Sequence, residues 1–384
     1  MKTLTEKLKT QIQNLKQQYQ LKNYRISLVI LVTILSIIGV FVVRSAREDY
    51  LLRQLQGVFL GLAAMAVISL IDYRWILKFY WLMYMINIAM LVAVLLFGET
   101  VNGATRWLNL GFVQFQPSDL TKLILILFFA RFLSDRESAV NDKKTIIQAV
   151  LLLIPSLILV YKQPNLSNTI CIALLFCVLM YMAGLSYKFI GTVLAIAVPT
   201  AVILFIIIIQ PNQPLIEEYQ QTRILAWLYP EEYESEEAYQ QLNSVMAIGS
   251  GQLTGKGYDT DSTVSVKNGN FISEPQTDFI FAIIGEELGF VGCCIVIILI
   301  LLIVIDCILT GMRAKDLEGK IICCGVGGLI GIQSIINIGV ATMTLPNTGI
   351  SLPFVSYGLT SLVCLYMGIG LVLNVGLQPN KYQS

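Results

Sequence analysis

Three carboxylates fall within one short stretch, QTDFIFAIIGEELGF (276–290): Asp278, Glu286 and Glu287. The residues around them are apolar and read as the start of a membrane helix, where an acid costs on the order of 3 kcal/mol to insert. A carboxylate held there can serve as a general base once burial or neighbouring acids raise its pKa toward working pH. Asp278 follows Pro275 and Thr277, which puts it in the first turn, where an acid can equally act as a cap favoured by the helix dipole. Ala282, Gly285 and Gly289 share its face. They form a slot of small residues that permits close helix packing or accommodates a lipid chain. Glu286 and Glu287 point about 100° apart, so they need different surroundings. At least one should meet a polar interior or a basic partner, and Lys122 and Lys162 are the cations on offer in the membrane region.

A second constellation is NGATRWLNLGFVQFQPSDLTKL (102–123). Pro117 suits a first helical turn, and Asp119 and Lys122 stand three apart on one face. Two readings follow. One is a local ion pair with capping. The other sets Arg106 and Lys122 beside an anionic head group, with Asp119 orienting the lysine, because Arg binds phosphate as a fork and Lys as a point charge. The chain has no histidine, which excludes Ser-His-Asp and Cys-His catalysis and any histidine-ligated metal. Acid–base chemistry therefore falls to a carboxylate, Lys or Tyr. No Cys/His cluster suggests a metal site, and the glycine-rich SGQLTGKG (250–257) is too loose a pattern for a phosphate loop. Nothing resembles a nucleotide or nucleic-acid site.

The elements that must position these residues are transmembrane helices. Of 384 residues, 56% are hydrophobic and 13% charged, against about 25% charged in a soluble domain. Ten apolar runs approach the roughly 20 residues a span needs: 26–43, 55–71, 77–97, 118–134, 145–161, 168–184, 186–209, 279–305, 320–342 and 354–376. The expected fold is an all-α polytopic membrane protein with a long extracellular loop, 210–278, between spans 7 and 8. Lys and Arg concentrate in the N-terminal tail and in alternate loops, so both termini are expected in the cytoplasm. One integral domain, 26–376, then lies between tails 1–25 and 377–384. Leu4, Leu8, Ile12, Leu15 and Tyr19 stand at helical spacing, which fits an amphipathic surface helix or a solvated tail. Span one reads as an uncleaved signal anchor. All eight cysteines fall in or beside spans, as packing residues. Loop 210–278 holds eleven acids and three bases, Arg223, Lys256 and Lys267. Its run PEEYESEE (230–237) reads as a solvated face. The uncharged VATMTLPNTGISLPFVSYGLTS (340–361) contains Pro346, Gly349 and Pro353, which forbid a continuous helix. It is either a short outer loop or a re-entrant segment lining a polar cavity.

Five segments carry a resemblance in order: NGATRWLNLG followed by FQPSDLTK; YKQPNLSNT; AIGSGQLTGKG; QTDFIFAIIGEELGF; and LPNTGISLPFVSYGLTS. Over about residues 26–376 the chain resembles the SEDS family (shape, elongation, division and sporulation), the polytopic peptidoglycan glycosyltransferases that include RodA and FtsW. The GKG loop and short termini look more like RodA. The resemblance implies polymerisation of lipid II at the outer face of the bacterial cytoplasmic membrane, for elongation and cell shape. It implies a class B penicillin-binding protein transpeptidase and other elongation-complex proteins as partners, and no nucleic acid. It maps the family's essential acid onto Asp278 and sets Arg106, Asp119 and Lys122 in the polar site, with Lys162, Glu286 and Ser356 counted as substrate-binding. On this mapping Asp278 takes the proton of the acceptor GlcNAc 4-hydroxyl as it attacks the donor anomeric carbon, with inversion, and fixed positive charge stabilises the departing diphosphate. A divalent cation, Mg or Mn, could bridge carboxylates and diphosphate; the acids permit one and no motif demands it. The chain departs from the family pattern at Gln276 for His, Asn165 and Ser167 for Asp and Gly, Asp119 for Glu, and Leu359 and Thr360 for Gly and Ser. Two rival readings are a lipid II flippase, which would rest on mid-membrane acids such as Glu286, and a non-catalytic scaffold that activates a partner synthase.

Overall fold

A computed structural model describes residues 24–101, 104–109, 111, 114–211, 213–216, 218–233, 238–259, 271–272 and 274–378. The expected amphipathic tail helix, the second half of the acidic run (234–237), Lys267 and the end of the C-terminal tail lie outside these residues.

All ten expected spans form helices. In chain order the helices are α1 (Ile26–Ala46), α2 (Leu51–Leu70), the short α3 (Tyr73–Leu77), α4 (Tyr80–Phe97), α5 (Pro117–Ser134), α6 (Lys143–Tyr161), α7 (Leu166–Met182) and α8 (Tyr187–Ile209). The long connection carries α9 (Glu218–Leu228) and α10 (Ala238–Ser250), and α11 (Ile280–Arg313), α12 (Leu317–Ala341) and α13 (Leu359–Leu377) complete the bundle. Among the described residues, eight helices are long and apolar enough to cross a membrane. The two other spans are α5, which contains Asp119, Lys122 and Arg131, and α7, which has 17 residues. Composition explains their layering. Helix α5 is apolar all round apart from its charged residues and is almost wholly buried, as a helix without a polar face must be. It lies among α4, α7, α12 and α13. Helix α8 is peripheral, and none of its described side chains is fully buried.

The all-helical expectation gains one small antiparallel sheet, β1 (Glu99–Val101), β2 (Ala104–Asn109) and β3 (Gln114–Phe115), in the order β1-β2-β3. Leu108 pairs with Phe115 and Asn109 with Gln114, so the sheet runs directly into Pro117 at the start of α5. That connection ties Arg106, on β2, to the helix that carries Asp119 and Lys122.

Three findings at the same end of the bundle alter the sequence expectations. First, the long connection packs on the bundle on either side of its acidic run, whose described acids Glu231 and Glu232 are themselves exposed. Trp227 Nε1 donates to Met343 O (3.0 Å), Gln241 Nε2 to Val340 O (3.0 Å) and Leu345 O (2.9 Å), and Ser244 Oγ to Ala341 O (2.7 Å). Helices α9 and α10 thus bond to carbonyls of the last turn of α12, Val340 and Ala341, and of the chain just beyond it, Met343 and Leu345, groups that a helix end leaves without an intrahelical partner. Second, the segment between α12 and α13 is re-entrant. Ile350, Leu352, Phe354, Val355 and Ser356 are buried, and a methyl on Gly39 of α1 would stand 2.8 Å from Phe354 O and Val355 Cα. Gly39 lies seven residues before the end of α1, roughly 10 Å along its axis. Third, α11 is broken at Gly289 (φ 65°, ψ −164°). Loop 251–257 enters that break, and a methyl on Gly285 would meet Ile248 of α10 at 2.8 Å. The small-residue slot below Asp278 is therefore filled by protein, in accordance with its helix-packing reading.

The opposite end is closed by charge. Asp316 caps α12 by accepting from Gly319 N (2.8 Å), and it also accepts from Tyr73 Oη (2.8 Å) and from Arg74 Nε (3.0 Å) and Nη2 (2.7 Å). Arg131 pairs with Glu318 and Asp135, and Arg25 lies 3.6 Å from Asp306.

Candidate active site

Asp278 sits in the turn leading into α11, and its place is fixed through the backbone on either side. Asn337 Nδ2, from α12, donates to Asp278 O (2.9 Å) and to Ile350 O (2.7 Å). Ser356 Oγ donates to Thr277 O (2.6 Å) and accepts from Leu352 N (2.8 Å). Tyr357 N donates to Gln276 O (2.9 Å). The acid-bearing turn is thus laced to the re-entrant segment and to α12. A methyl on Gly349 would stand 3.3 Å from Asp278 Oδ2, so the carboxylate rests against that segment's backbone.

Two other segments close on the same point. Ser167, at the start of α7, donates to Thr348 O, and Arg106 Nη2 donates to Pro164 O. Arg106 and Arg223, from β2 and α9, both act electrostatically on Asp278. The Asp278 side chain is half-buried in dense protein surroundings. Burial pushes its carboxyl up to about 6; Arg223 opposes the rise, Glu274 adds to it, and Arg106 opposes it. That value suits a proton acceptor near neutral pH. Four polar side-chain atoms here, Asn165 Nδ2, Gln276 Oε1, Asn337 Oδ1 and Thr348 Oγ1, are buried without a hydrogen-bond partner among the described residues. Buried polar atoms are normally paired, so these are groups that a hydroxyl-rich ligand can satisfy.

Asp119 and Lys122 form a separate buried layer. Lys122 Nζ lies 2.8 Å from Asp119 Oδ1 and 3.1 Å from Asn168 Oδ1, with Lys122 only 2% and Asp119 7% exposed. Asn165 caps α7 by accepting from Asn168 N (3.3 Å). An asparagine thus keeps a capping acceptor there without adding a charge. Asn168 and Ser167 are neighbours on α7, so this layer connects to Thr348 and from there to Gly349 beside Asp278.

The expected partners of the two glutamates need correction. Neither Lys122 nor Lys162 meets them. Glu286, 1% exposed, pairs with Lys256 of the SGQLTGKG loop at 2.7 Å, and Glu287 accepts from Ser45 of α1. Lys162 is exposed at the end of α6 and makes no ion pair or hydrogen bond through its side chain among the described residues. The structure therefore brings together Asp278, Arg106 and Ser356, sets Asp119 and Lys122 behind them, ties Glu286 into the helix break, and leaves Lys162 apart. Sequence reasoning missed Arg223, Glu274 and Asn337 as site residues. A readable signal existed: Arg223 and Lys256 are isolated bases in an acidic segment, and Asn337, with Gln333 one turn before it, is an amide in a largely apolar stretch of helix.

Among the described residues, no group of three or more Cys, Asp or Glu side chains gathers to hold a metal ion. The acids around Asp278 are accompanied by two arginines.

A bundle of membrane helices, with a raised carboxylate held between a re-entrant segment and two arginines, defines a polytopic membrane protein with a candidate acid–base site at one end. The sequence matches the cell cycle protein family FtsW/RodA/SpoVE over residues 19–381, and the chain belongs to that family. It is 34% identical to the peptidoglycan glycosyltransferase MrdB of Escherichia coli K12, over 84% of each chain. It is 32% identical to a probable peptidoglycan glycosyltransferase FtsW of Aliivibrio salmonicida, over 87% of this chain and 81% of that one. Among solved structures it is similar to a chain of a peptidoglycan synthase complex that coordinates polymerization and crosslinking (TM-score 0.76, 29% identity, 92% of this chain and 97% of that one). It is also similar to the rod shape determining protein RodA of Thermus thermophilus (TM-score 0.67, 26% identity, 92% and 96%).

Proposed function

We propose that this protein is a peptidoglycan glycosyltransferase that polymerises lipid II, with Asp278 as the general base. The observation that carries the reading is the half-buried Asp278 carboxyl, pushed up to about 6, beside Arg106 and Arg223. The acceptor's GlcNAc 4-hydroxyl gives its proton to Asp278 while its oxygen attacks the donor's anomeric carbon, and the bond to undecaprenyl diphosphate breaks. The diphosphate leaves as an anion and needs no proton. Arg106 and Arg223 supply positive charge where that anion develops. One base and one displacement give inversion.

The partner is a class B penicillin-binding protein, a reading supported by the likeness to a chain of a synthase complex. Lys and Arg placement supports cytoplasmic termini and a site at the extracellular face. A transporter resting on Glu286 is disfavoured, because that acid is tied to Lys256 at 2.7 Å. The test is glycan synthesis from purified lipid II by the reconstituted protein with its transpeptidase partner. Asp278→Asn, which keeps size and polarity but cannot take the proton, is expected to lower the rate about a thousandfold with its unfolding temperature preserved. Equal rates would reduce Asp278 to a structural acid.

A further inference from the structure

The break in α11 has a complete backbone accounting. In a continuous α-helix Phe290 N would donate to Glu286 O and Val291 N to Glu287 O. At the Gly289 break both bonds are lost, and loop 251–257 replaces them on both sides. Phe290 N donates to Gln252 O (2.8 Å) and Val291 N to Leu253 O (3.1 Å), while Glu286 O accepts from Lys256 N (2.9 Å) and Glu287 O from Gly257 N (3.1 Å). The loop is a wedge seated in the helix, backbone against backbone.

Two glycines make the fit possible. Gly289 (φ 65°, ψ −164°) occupies a region open essentially to glycine alone, and a methyl there would lie 2.3 Å from Gly255 N. Gly255 has φ +81°, and a methyl on it would lie 2.0 Å from Glu287 O. One side-chain ion pair crosses the wedge: Lys256 Nζ to Glu286 Oε1, 2.7 Å, with the Glu286 side chain buried. Tyr258 extends the strap to α1, donating to Phe41 O (3.1 Å) and meeting the Phe41 ring edge-on at 6.0 Å.

The segment freed by this break, 280–288, begins two residues after Asp278. Its orientation is set by the wedge at one end and by Asn337 and Ser356 at the other. We propose that Lys256 is a positioning residue for the reaction: its ammonium on Glu286 latches the wedge into the Gly289 break and so fixes the half-helix that presents Asp278. The latch acts through Asp278 and makes no contact with the reacting atoms. The catalytic consequence rests on the reading of Asp278 as the base.

The test has two arms on the full-length protein, comparing wild type, Lys256→Ala and Lys256→Arg. Hydrogen exchange of the amides in 280–288 is expected to quicken at least about tenfold in Lys256→Ala and to return to within about threefold of wild type in Lys256→Arg, while amides in 293–313 stay unchanged. Unaltered exchange in 280–288 overturns the latch. In lipid II polymerisation with the transpeptidase partner, Lys256→Ala is expected to lower kcat at least about tenfold with KM within about twofold, and Lys256→Arg to recover most of it. A raised KM with kcat preserved overturns the positioning role and makes Lys256 a substrate contact. If wild type itself makes no glycan, the glycosyltransferase reading fails, and the exchange arm still decides whether the latch exists.

Discussion

At the residue scale, the chemistry rests on what surrounds one carboxyl. Desolvation raises Asp278 to about 6, and the two arginines hold it from rising further. A base works as the carboxylate, so kcat/KM should be level above about pH 6 and fall about tenfold per unit below it. An unperturbed aspartate, near 4, would keep its activity down to about pH 5. Arg106→Gln removes a charge that favours the ionised form, so the acidic limb should move to higher pH; a limb that stays in place would separate Arg106 from Asp278. Folding feels the opposite sign. A carboxyl whose pKa is raised in the folded state binds its proton more tightly there than in the unfolded chain. Its contribution to stability is full below about pH 4 and is lost as pH rises through about 6.

At the element scale, α5 and α7 are joined by a charge layer inside the bundle. Asp119 and Lys122 are on α5, three residues apart, and Asn168 of α7 completes the lysine's contacts. Breaking a buried pair leaves an uncompensated charge, at about 3–5 kcal/mol, whereas replacing both partners is often neutral. Lys122→Met is therefore expected to lower the unfolding temperature sharply, and Asp119→Leu/Lys122→Met to recover most of it. Thermal unfolding in detergent decides between two roles. A structural pair predicts that the double variant regains activity along with stability. A head-group site predicts a stable double variant that remains inactive. The re-entrant segment illustrates the same physics without charge. Its buried irregular backbone is stable because Asn337 and Ser356 bond to it, as irregular chain at membrane depth requires.

At the scale of the whole molecule, the two ends of the bundle are built differently. The site end is closed by loops: the sheet, α9 and α10, the wedge and the re-entrant segment. The other end is closed by short side-chain contacts centred on Asp316, which joins α3 to α12, while Asn374 of α13 accepts from Tyr73 N (3.0 Å) and donates to Ser69 O (2.9 Å). Asp316→Ala removes a helix cap and the acceptor of both Tyr73 and Arg74, so a loss of about 1–3 kcal/mol is expected, most of it from the cap and the tyrosine bond because the ion pair is partly exposed. The acidic limb of the pH profile should stay at about 6, since none of these groups touches Asp278. A shifted limb would mean that the two ends are coupled.

The apolar helices are legible in the residues alone, because hydrophobic length is a local property that the bilayer thickness reads directly. Eight of the ten expected spans meet that length and composition among the described residues, while charged α5 and short α7 do not. The sequence by itself also determined the candidacy of Asp278 and the irregularity of 340–361, since an acid at a helix start and prolines within an apolar run are visible in the residues alone. The pairing of Glu286 with Lys256 was not legible: the two residues are thirty positions apart, and the contact exists only because α11 breaks at Gly289 and admits the loop. The same holds for Arg223 beside Asp278, for the filling of the glycine slot by Ile248, and for the exclusion of Lys162 from the polar contacts of the site. Distance along the chain carries no information about which backbone groups a broken helix will release, or about which loop will satisfy them. Tertiary packing decides that.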